Sequence, residues 1–279
     1  MDRELLLFVM AAVLCAPVIV LVASLPWPTV HSGTAREVEA SAWRAIWLPF
    51  LPASVILAAL AGWAVTEPAD AEAVGPVPLS CAVVVGLLAT RALARAVLAA
   101  CARPRGVVAG TFGLVRPRPV IDPRLCEVLD ERAMRAVELH ELAHARHFDP
   151  LRVLLAQLAT DLLWFLPTPR RRLVAWLDSL EIARDEEAIA LGAGPTDLAT
   201  AILTCAAWNA GARAAGGVGI TGAALEARIH RLLDHTGHAE RPPEPARAWP
   251  AVALSQVAAA MAGATFGETI VAWLTRHLA

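Results

Sequence analysis

Four long apolar runs limit what this chain can fold into. They cover residues 5–25, 43–65, 77–101 and 250–274. At about 1.5 Å per residue in a helix, each run is long enough to cross the ~30 Å hydrocarbon core of a bilayer. The whole chain is correspondingly apolar, with 57% hydrophobic and 18% charged residues. We therefore expect a polytopic membrane protein with about four transmembrane helices.

The first run raises the alternative of a secretory signal peptide. It outlasts the roughly 7–15-residue apolar core of such a peptide, and a cleavage site would carry small residues. Pro26, Trp27 and Pro28 follow the run instead. These features favour a retained membrane helix.

The distribution of arginine predicts the orientation in the membrane. Arg36 and Arg44 follow the first run, residues 66–76 carry only acidic charges, and the segment after residue 101 is rich in arginine. Because positive charge accumulates on the cytoplasmic side, the N-terminus is expected outside. This predicts three membrane helices in residues 1–101, a cytosolic domain in residues 102–249 and a C-terminal membrane helix in residues 250–279.

Gly263 and Gly267 are spaced one helical turn apart in the last run. Small residues at this spacing let two helices approach closely. The pair favours packing within the chain, with a homodimer as the alternative.

Composition excludes several kinds of chemistry. The formal net charge is −2, so binding to nucleic acid through a strongly positive surface is disfavoured. Every basic side chain besides histidine is arginine, which removes lysine as a Schiff base or phosphate-loop ligand. The five cysteines are scattered without a Cys-x-x-Cys pair, which is typical of buried thiols in a reducing compartment.

The internal segment is predicted to be mainly helical with a small β-ribbon. Short β-type pieces at 107–108, 114–116 and 120–121 are separated by glycine and proline. Helices are expected over 130–148, capped by Asp130, and over 151–166, 171–191 and 223–234. The 151–166 helix carries polar residues, which favours an amphipathic core or membrane-surface helix over a fifth span.

Residues 140–144 spell His-Glu-Leu-Ala-His, a zinc-protease pattern. On a helix, His140 and His144 share a face, so both imidazoles reach one metal while Glu141 stands beside the metal's water. Catalytic zinc usually has three protein ligands and an open position. Glu181 is the predicted third ligand. Asp185, four residues later on the same helix face, is placed to accept a hydrogen bond from a ligand imidazole and fix its tautomer.

The remaining histidines are interpreted differently. His147 lies on the same helix face as the ligands and is expected to be a neighbour of the metal rather than a ligand. His230, His235 and His238 are expected to be surface groups near a glycine-rich loop at 211–222.

An ordered set of motifs resembles one known family. The set comprises Gly113 to Pro123, the His-Glu-Leu-Ala-His helix with Asp149-Pro150-Leu151, Trp164 to Pro167, Glu181 to Ala188, and Arg228 to Leu233. It is similar to the BlaR/MecR family of membrane metallopeptidases, and the resemblance covers residues 107–234. The number and orientation of the flanking apolar runs agree with that family.

The resemblance implies a zincin-like, cytosolic zinc endopeptidase in a bacterial plasma membrane that cleaves itself or a winged-helix repressor of the BlaI/MecI type. Only about five residues follow the last run, so an extracellular penicillin-binding sensor domain is not expected. Because the chain has no tyrosine, a histidine or an arginine is expected to donate to the reaction's oxyanion. Arg228 and Arg231 are the candidates, because they fall on a helix that the resemblance includes.

Two other functions are compatible with the sequence. A membrane quality-control protease like the HtpX family shares the His-Glu-x-x-His pattern and a downstream glutamate, and differs by cleaving many substrates. A catalytically silent membrane scaffold with structural zinc is disfavoured by Glu141, since a structural site has no use for a carboxylate beside the metal.

Overall fold

A computed structural model describes residues 15–25, 33–66, 108–213, 222–234 and 249–278, together with isolated positions between 80 and 98. The described chain is mainly helical, as the sequence predicted. The helices are α1 (Cys15–Ser24), α2 (Ala35–Trp47), α3 (Phe50–Thr66), α4 (Glu131–Arg146), α5 (Asp149–Leu162), α6 (Pro167–Ala190), α7 (Pro195–Arg213), α8 (Gly222–Leu233) and α9 (Trp249–Leu278). Strands β1 (Ala109–Phe112) and β2 (Arg118–Ile121) form a ribbon, followed by a short 3-10 helix (Pro123–Glu127).

The second apolar run is broken into two helices rather than forming one. Pro49 lies at the break between α2 and α3, because proline has no N–H to continue the helical hydrogen bonds. The carbonyl of Ala45, four residues earlier, instead accepts a hydrogen bond from Nη1 of Arg172 at 3.4 Å. Among the described residues, no single helix is both long and apolar enough to cross a membrane. Helix α2 and residues 50–63, bent by 48°, meet both criteria together.

Helices α3 and α9 lie in close contact through glycine. A Cβ atom on Gly263 would lie 1.8 Å from the carbonyl oxygen of Ala59, and one on Gly62 would lie 1.9 Å from that of Ala260. Only glycine permits this separation of two helix backbones. The predicted close approach at Gly263 and Gly267 therefore occurs within the chain, where Gly267 faces Trp63.

The ribbon lies where the sequence predicted it, with different strand limits. The strands are antiparallel and pair Ala109 with Ile121 and Phe112 with Arg118. The predicted piece at 114–116 belongs to the turn, because Gly113 adopts a left-handed φ of 101° and turns the chain back. Residues 101–107 lie outside the described part of the chain.

Helix α4 forms the centre of the domain. Its side chains Ala136 and Leu139 pack on Ala188 of α6, Leu198 of α7 and Leu232 of α8. A second core lies between α2, α5 and α6 and includes the fully buried Trp176. The small side chains let these helices pack closely enough to bring α4 and α6 side by side.

Local signals explain where the central helices begin and end. The side chain of Asp130 accepts a hydrogen bond from the backbone N–H of Ala133, which confirms the predicted cap of α4. The helix ends at Arg146, two residues before the predicted end, and Phe148 takes a left-handed φ of 54°. Helix α5 therefore begins at Asp149, two residues before the predicted start.

The end of α6 was predicted correctly, and the start of the glycine-rich loop was not. Gly192, with a φ of 105°, follows α6 closely, as expected for a helix terminator. Helix α7 continues to Arg213, into the region predicted as a glycine-rich loop, and residues 214–221 lie outside the described residues. Most of the third apolar run also lies outside them.

Candidate metal centre

Two imidazoles of α4 point at a common position. His140 and His144 are one helical turn apart, and their Nε2 atoms are 3.1 Å apart. Both side chains are largely buried, at 10% and 12% exposure. At this separation one Nε2 can donate a hydrogen bond to the other, and two unprotonated Nε2 atoms can share a metal cation, whereas two protonated ones would repel each other.

Glu181 of α6 completes a three-residue donor group. Its Oε2 lies 3.6 Å from Nε2 of His140, and its Oε1 lies 3.7 Å from Nε2 of His144. One ligand atom from each of the three residues lies within 4.8 Å of the others. Among the residues that the structure describes, the group holds two imidazoles and one carboxylate and no fourth donor, and this donor set suits catalytic zinc.

The electrostatics of His140 also favour a cation. Burial alone would lower its pKa, but the carboxylates of Asp185 and Glu181 outweigh burial and raise the pKa to about 10. Without a metal, His140 therefore holds a proton at neutral pH. The pKa of Glu181 lies well below its usual range, because contacts with both histidines and Arg228 outweigh burial.

The other nitrogen of each imidazole faces a buried aspartate. Nδ1 of His140 lies 3.0 Å from Oδ1 of Asp185, although this contact lacks the angle of a hydrogen bond. Nδ1 of His144 hydrogen-bonds Oδ2 of Asp149 at 2.9 Å. Each aspartate favours a proton on Nδ1, which leaves Nε2 free to bind a metal.

An arginine holds each of these aspartates. Nε and Nη2 of Arg228 donate to the two oxygens of Asp185, both at 2.8 Å. Nε and Nη2 of Arg184 likewise donate to the two oxygens of Asp149, at 2.5 and 3.0 Å. Burial works to raise the pKa of both aspartates, but these arginines and the histidines outweigh it and hold both pKa values below their usual range.

The donor group lies in predominantly acidic surroundings. Three guanidinium groups contact the carboxylates in and around it, those of Arg152, Arg184 and Arg228. Six carboxylates surround them, those of Glu39, Glu141, Asp149, Glu181, Asp185 and Glu187. Buried negative charge is costly when it is not balanced, so a cation held by His140, His144 and Glu181 would be stabilised by this excess of carboxylates.

Glu141 follows His140 on α4 and contacts the ribbon. Its carboxylate Oε2 and its own backbone oxygen lie 2.9 and 2.8 Å from the hydroxyl of Thr111 on β1. A single hydroxyl can therefore hold the Glu141 side chain against its own backbone. Thr111 was not predicted, because nothing in the local sequence relates it to Glu141, 30 residues later.

The two arginines predicted as oxyanion donors lie in different surroundings. Arg228 is buried at the site, where its Nη1 lies 2.9 Å from Oε2 of Glu181 while its other nitrogens hold Asp185. Arg231 lies on the exposed surface, where it donates to Glu186. The structure thus brings Arg228, but not Arg231, against the predicted ligands.

His147 and His230 are not part of the donor group. Nε2 of His147 hydrogen-bonds Oε2 of Glu187 at 2.7 Å. His230 is exposed, while His235 and His238 lie outside the described residues. The residues that sequence reasoning missed are Thr111, Arg184 and the role of Asp149. Asp149 offered a weak signal, since an Asp-Pro pair opens a helix five residues after His144.

Comparison with protein-family models, curated proteins and solved structures found no match to this chain. The resemblance to the BlaR/MecR family therefore stays a prediction.

Proposed function

We propose that this protein is a membrane-bound zinc endopeptidase with His140, His144 and Glu181 as the metal ligands. The observation that carries the proposal is the convergence of these three donors, together with the buried carboxylate of Glu141, the residue that follows His140 on α4. A structural metal site would have no need of that carboxylate. Zinc held in this way would acidify a water molecule and polarise a peptide carbonyl.

Glu141 is the proposed general base. Its carboxylate takes a proton from the attacking water and then delivers it to the leaving amine of the substrate. Thr111 keeps the carboxylate in place during both transfers, and Asp149 and Asp185 keep the ligand imidazoles oriented. Arg228 would have to release a carboxylate before it could stabilise an oxyanion, so we assign it to holding Glu181.

We propose a cytosolic winged-helix repressor, the chain itself, or both as the substrate, in a bacterial plasma membrane. The resemblance to the BlaR/MecR family supports the substrate. The four apolar runs and the arginine distribution support a lipid bilayer as a partner and a cytosolic site. Direct contact with nucleic acid is not part of the proposal.

Cleavage by the zinc-loaded full chain in detergent tests this function. A winged-helix repressor of the BlaI/MecI type serves as one probe and casein as the other. We expect the repressor to be cut at one bond, casein to remain intact, and Glu141→Gln to be inactive on both. Equal cleavage of both probes would favour the quality-control alternative, and cleavage at the parental rate by Glu141→Gln would contradict the proposed mechanism.

A further inference from the structure

A continuous line of charged contacts joins helix α2 to the proposed ligand His144. Nη2 of Arg152 on α5 donates to Oε1 of Glu39 on α2, at 2.5 Å. Nη1 of the same arginine donates to Oδ1 of Asp149 at 3.0 Å. Oδ2 of Asp149 in turn hydrogen-bonds Nδ1 of His144. One guanidinium group therefore connects residue 39 to the partner of a metal ligand.

The surroundings of Arg152 make this connection stiff. Its guanidinium carbon lies 4.7 Å from the ring centroid of Trp43 and 5.4 Å from that of Trp176. Nε1 of Trp176 also donates to Oε1 of Glu39, at 2.8 Å. Glu39 and Asp149 are only 6% and 2% exposed. A planar cation beside two rings and between two buried carboxylates cannot shift without losing several contacts at once.

Helix α2 also leads directly into α3, which the proposed function places in the membrane. It belongs to the bent pair that meets the length and composition of a membrane span, and α3 of that pair lies against α9. If α2 moved away, Arg152 would lose Glu39 and retain Asp149 as its carboxylate partner. Asp149 also hydrogen-bonds His144 and Arg184. Movement of Arg152 would therefore change the position of Asp149 relative to the His144 imidazole.

We propose that Glu39 and Arg152 are positioning residues that couple the placement of α2 to the orientation of His144, and hence to the metal affinity of the site. This inference rests on the proposed metal site. Because such coupling is reciprocal, a metal bound by His144 should also hold α2 more firmly.

Zinc affinity measured by chelator competition on the full chain in detergent tests the coupling. Loss of the residue that hydrogen-bonds a metal-ligating histidine typically weakens metal binding by about 10–100-fold. Glu39 and Arg152 act through that residue, so we expect Glu39→Gln and Arg152→Met each to weaken zinc binding by about 3–10-fold. The double variant should be no weaker than Arg152→Met, because Glu39 acts on His144 only through Arg152. Glu39→Gln removes the negative charge that Arg152 contacts but keeps an oxygen that can accept from Trp176, so it should fold normally.

Arg231→Met is the matched control. Arg231 also binds a residue that contacts α2, since Glu186 accepts a hydrogen bond from the backbone N–H of Ala35. In the described part of the chain, no hydrogen bond or ion pair joins Arg231 or Glu186 to His144. We expect its zinc affinity to be parental. Cobalt substitution gives a second readout: the visible absorption of the bound Co²⁺ should change in Arg152→Met and remain parental in Arg231→Met.

Hydrogen exchange tests the reciprocal effect. Zinc should slow amide exchange in residues 35–47 of the parental chain and have a smaller effect in Arg152→Met. Parental zinc affinity in both Glu39→Gln and Arg152→Met, with only a lower melting temperature, would overturn the coupling. A parental chain that bound no zinc would instead overturn the proposed metal site and this inference with it.

Discussion

Zinc binding should release the proton that His140 carries in the metal-free protein. The pKa of His140 is raised to about 10 by Asp185 and Glu181 against the opposing effect of burial. At pH 7, three units lower, only about one molecule in a thousand has this imidazole free to bind a metal. As the pH rises from 7 to 9, the apparent Kd for zinc should therefore fall about tenfold for each pH unit.

Calorimetry in buffers of different ionisation enthalpy would measure the protons released, and chelator competition would measure the Kd. We expect at least about one proton per zinc at pH 7. Asp185→Asn removes one of the two carboxylates that raise the pKa, so its affinity should stop rising at a lower pH. Asp122→Asn, which alters a carboxylate paired with the exposed Arg124, is the control. A Kd that does not change between pH 7 and 9 would refute this reasoning.

Three further predictions follow from particular contacts. Thr111→Val should lower the rate of peptide cleavage by about tenfold or more while zinc content stays parental, because it removes a hydrogen bond to the proposed base. Thr111→Ser keeps the hydroxyl and should cleave at close to the parental rate. Equal rates in the parental chain and both variants would contradict the proposed role of Thr111. Gly263→Ala should lower the free energy of unfolding in detergent by about 1–3 kcal/mol, since its Cβ would overlap the Ala59 carbonyl, whereas the exposed Ala262→Leu should have little effect. The metal-free protein should lose stability as pH rises: protonated His140 contributes stability fully below pH 6.5, the ordinary pKa, and this contribution is lost as pH passes through about 10. Thermal melts from pH 7 to 10 would measure the loss, and a melting temperature that rises with pH would contradict it.

The three proposed ligands could be predicted because their spacing encodes their geometry. His140 and His144 share a helix face whatever surrounds that helix, and Glu181 and Asp185 repeat the same spacing on a second helix. Only the packing of α4 beside α6 was needed to bring the two pairs together. The cap at Asp130 was predictable for the same reason, since it acts within one helical turn.

The residues that support the ligands could not be predicted in this way. Arg184 reaches Asp149 from another helix, and Thr111 reaches Glu141 from a strand, so each contact depends on tertiary packing. The position of Asp149 depends on the left-handed Phe148, a conformation that is uncommon for a bulky residue and has no sequence signal here. Arg228 was singled out, but its carboxylate partners were not foreseen.

The apolar runs were informative about composition and less so about helix limits. Residues 43–65 form a continuous apolar pattern, yet Pro49 divides them into two helices that meet at 48°. Hydropathy is averaged over many residues and does not detect this break, because the break comes from the missing N–H of a single proline.

Zinc content of the purified full chain tests the central claim most directly. Elemental analysis should find about one zinc per chain in the parental protein and in Glu141→Gln, whose substitution leaves the three donors intact. His144→Ala should retain little or no zinc under the same conditions, because it removes one donor of three. Equal zinc content in His144→Ala and the parental chain would contradict the proposed metal centre.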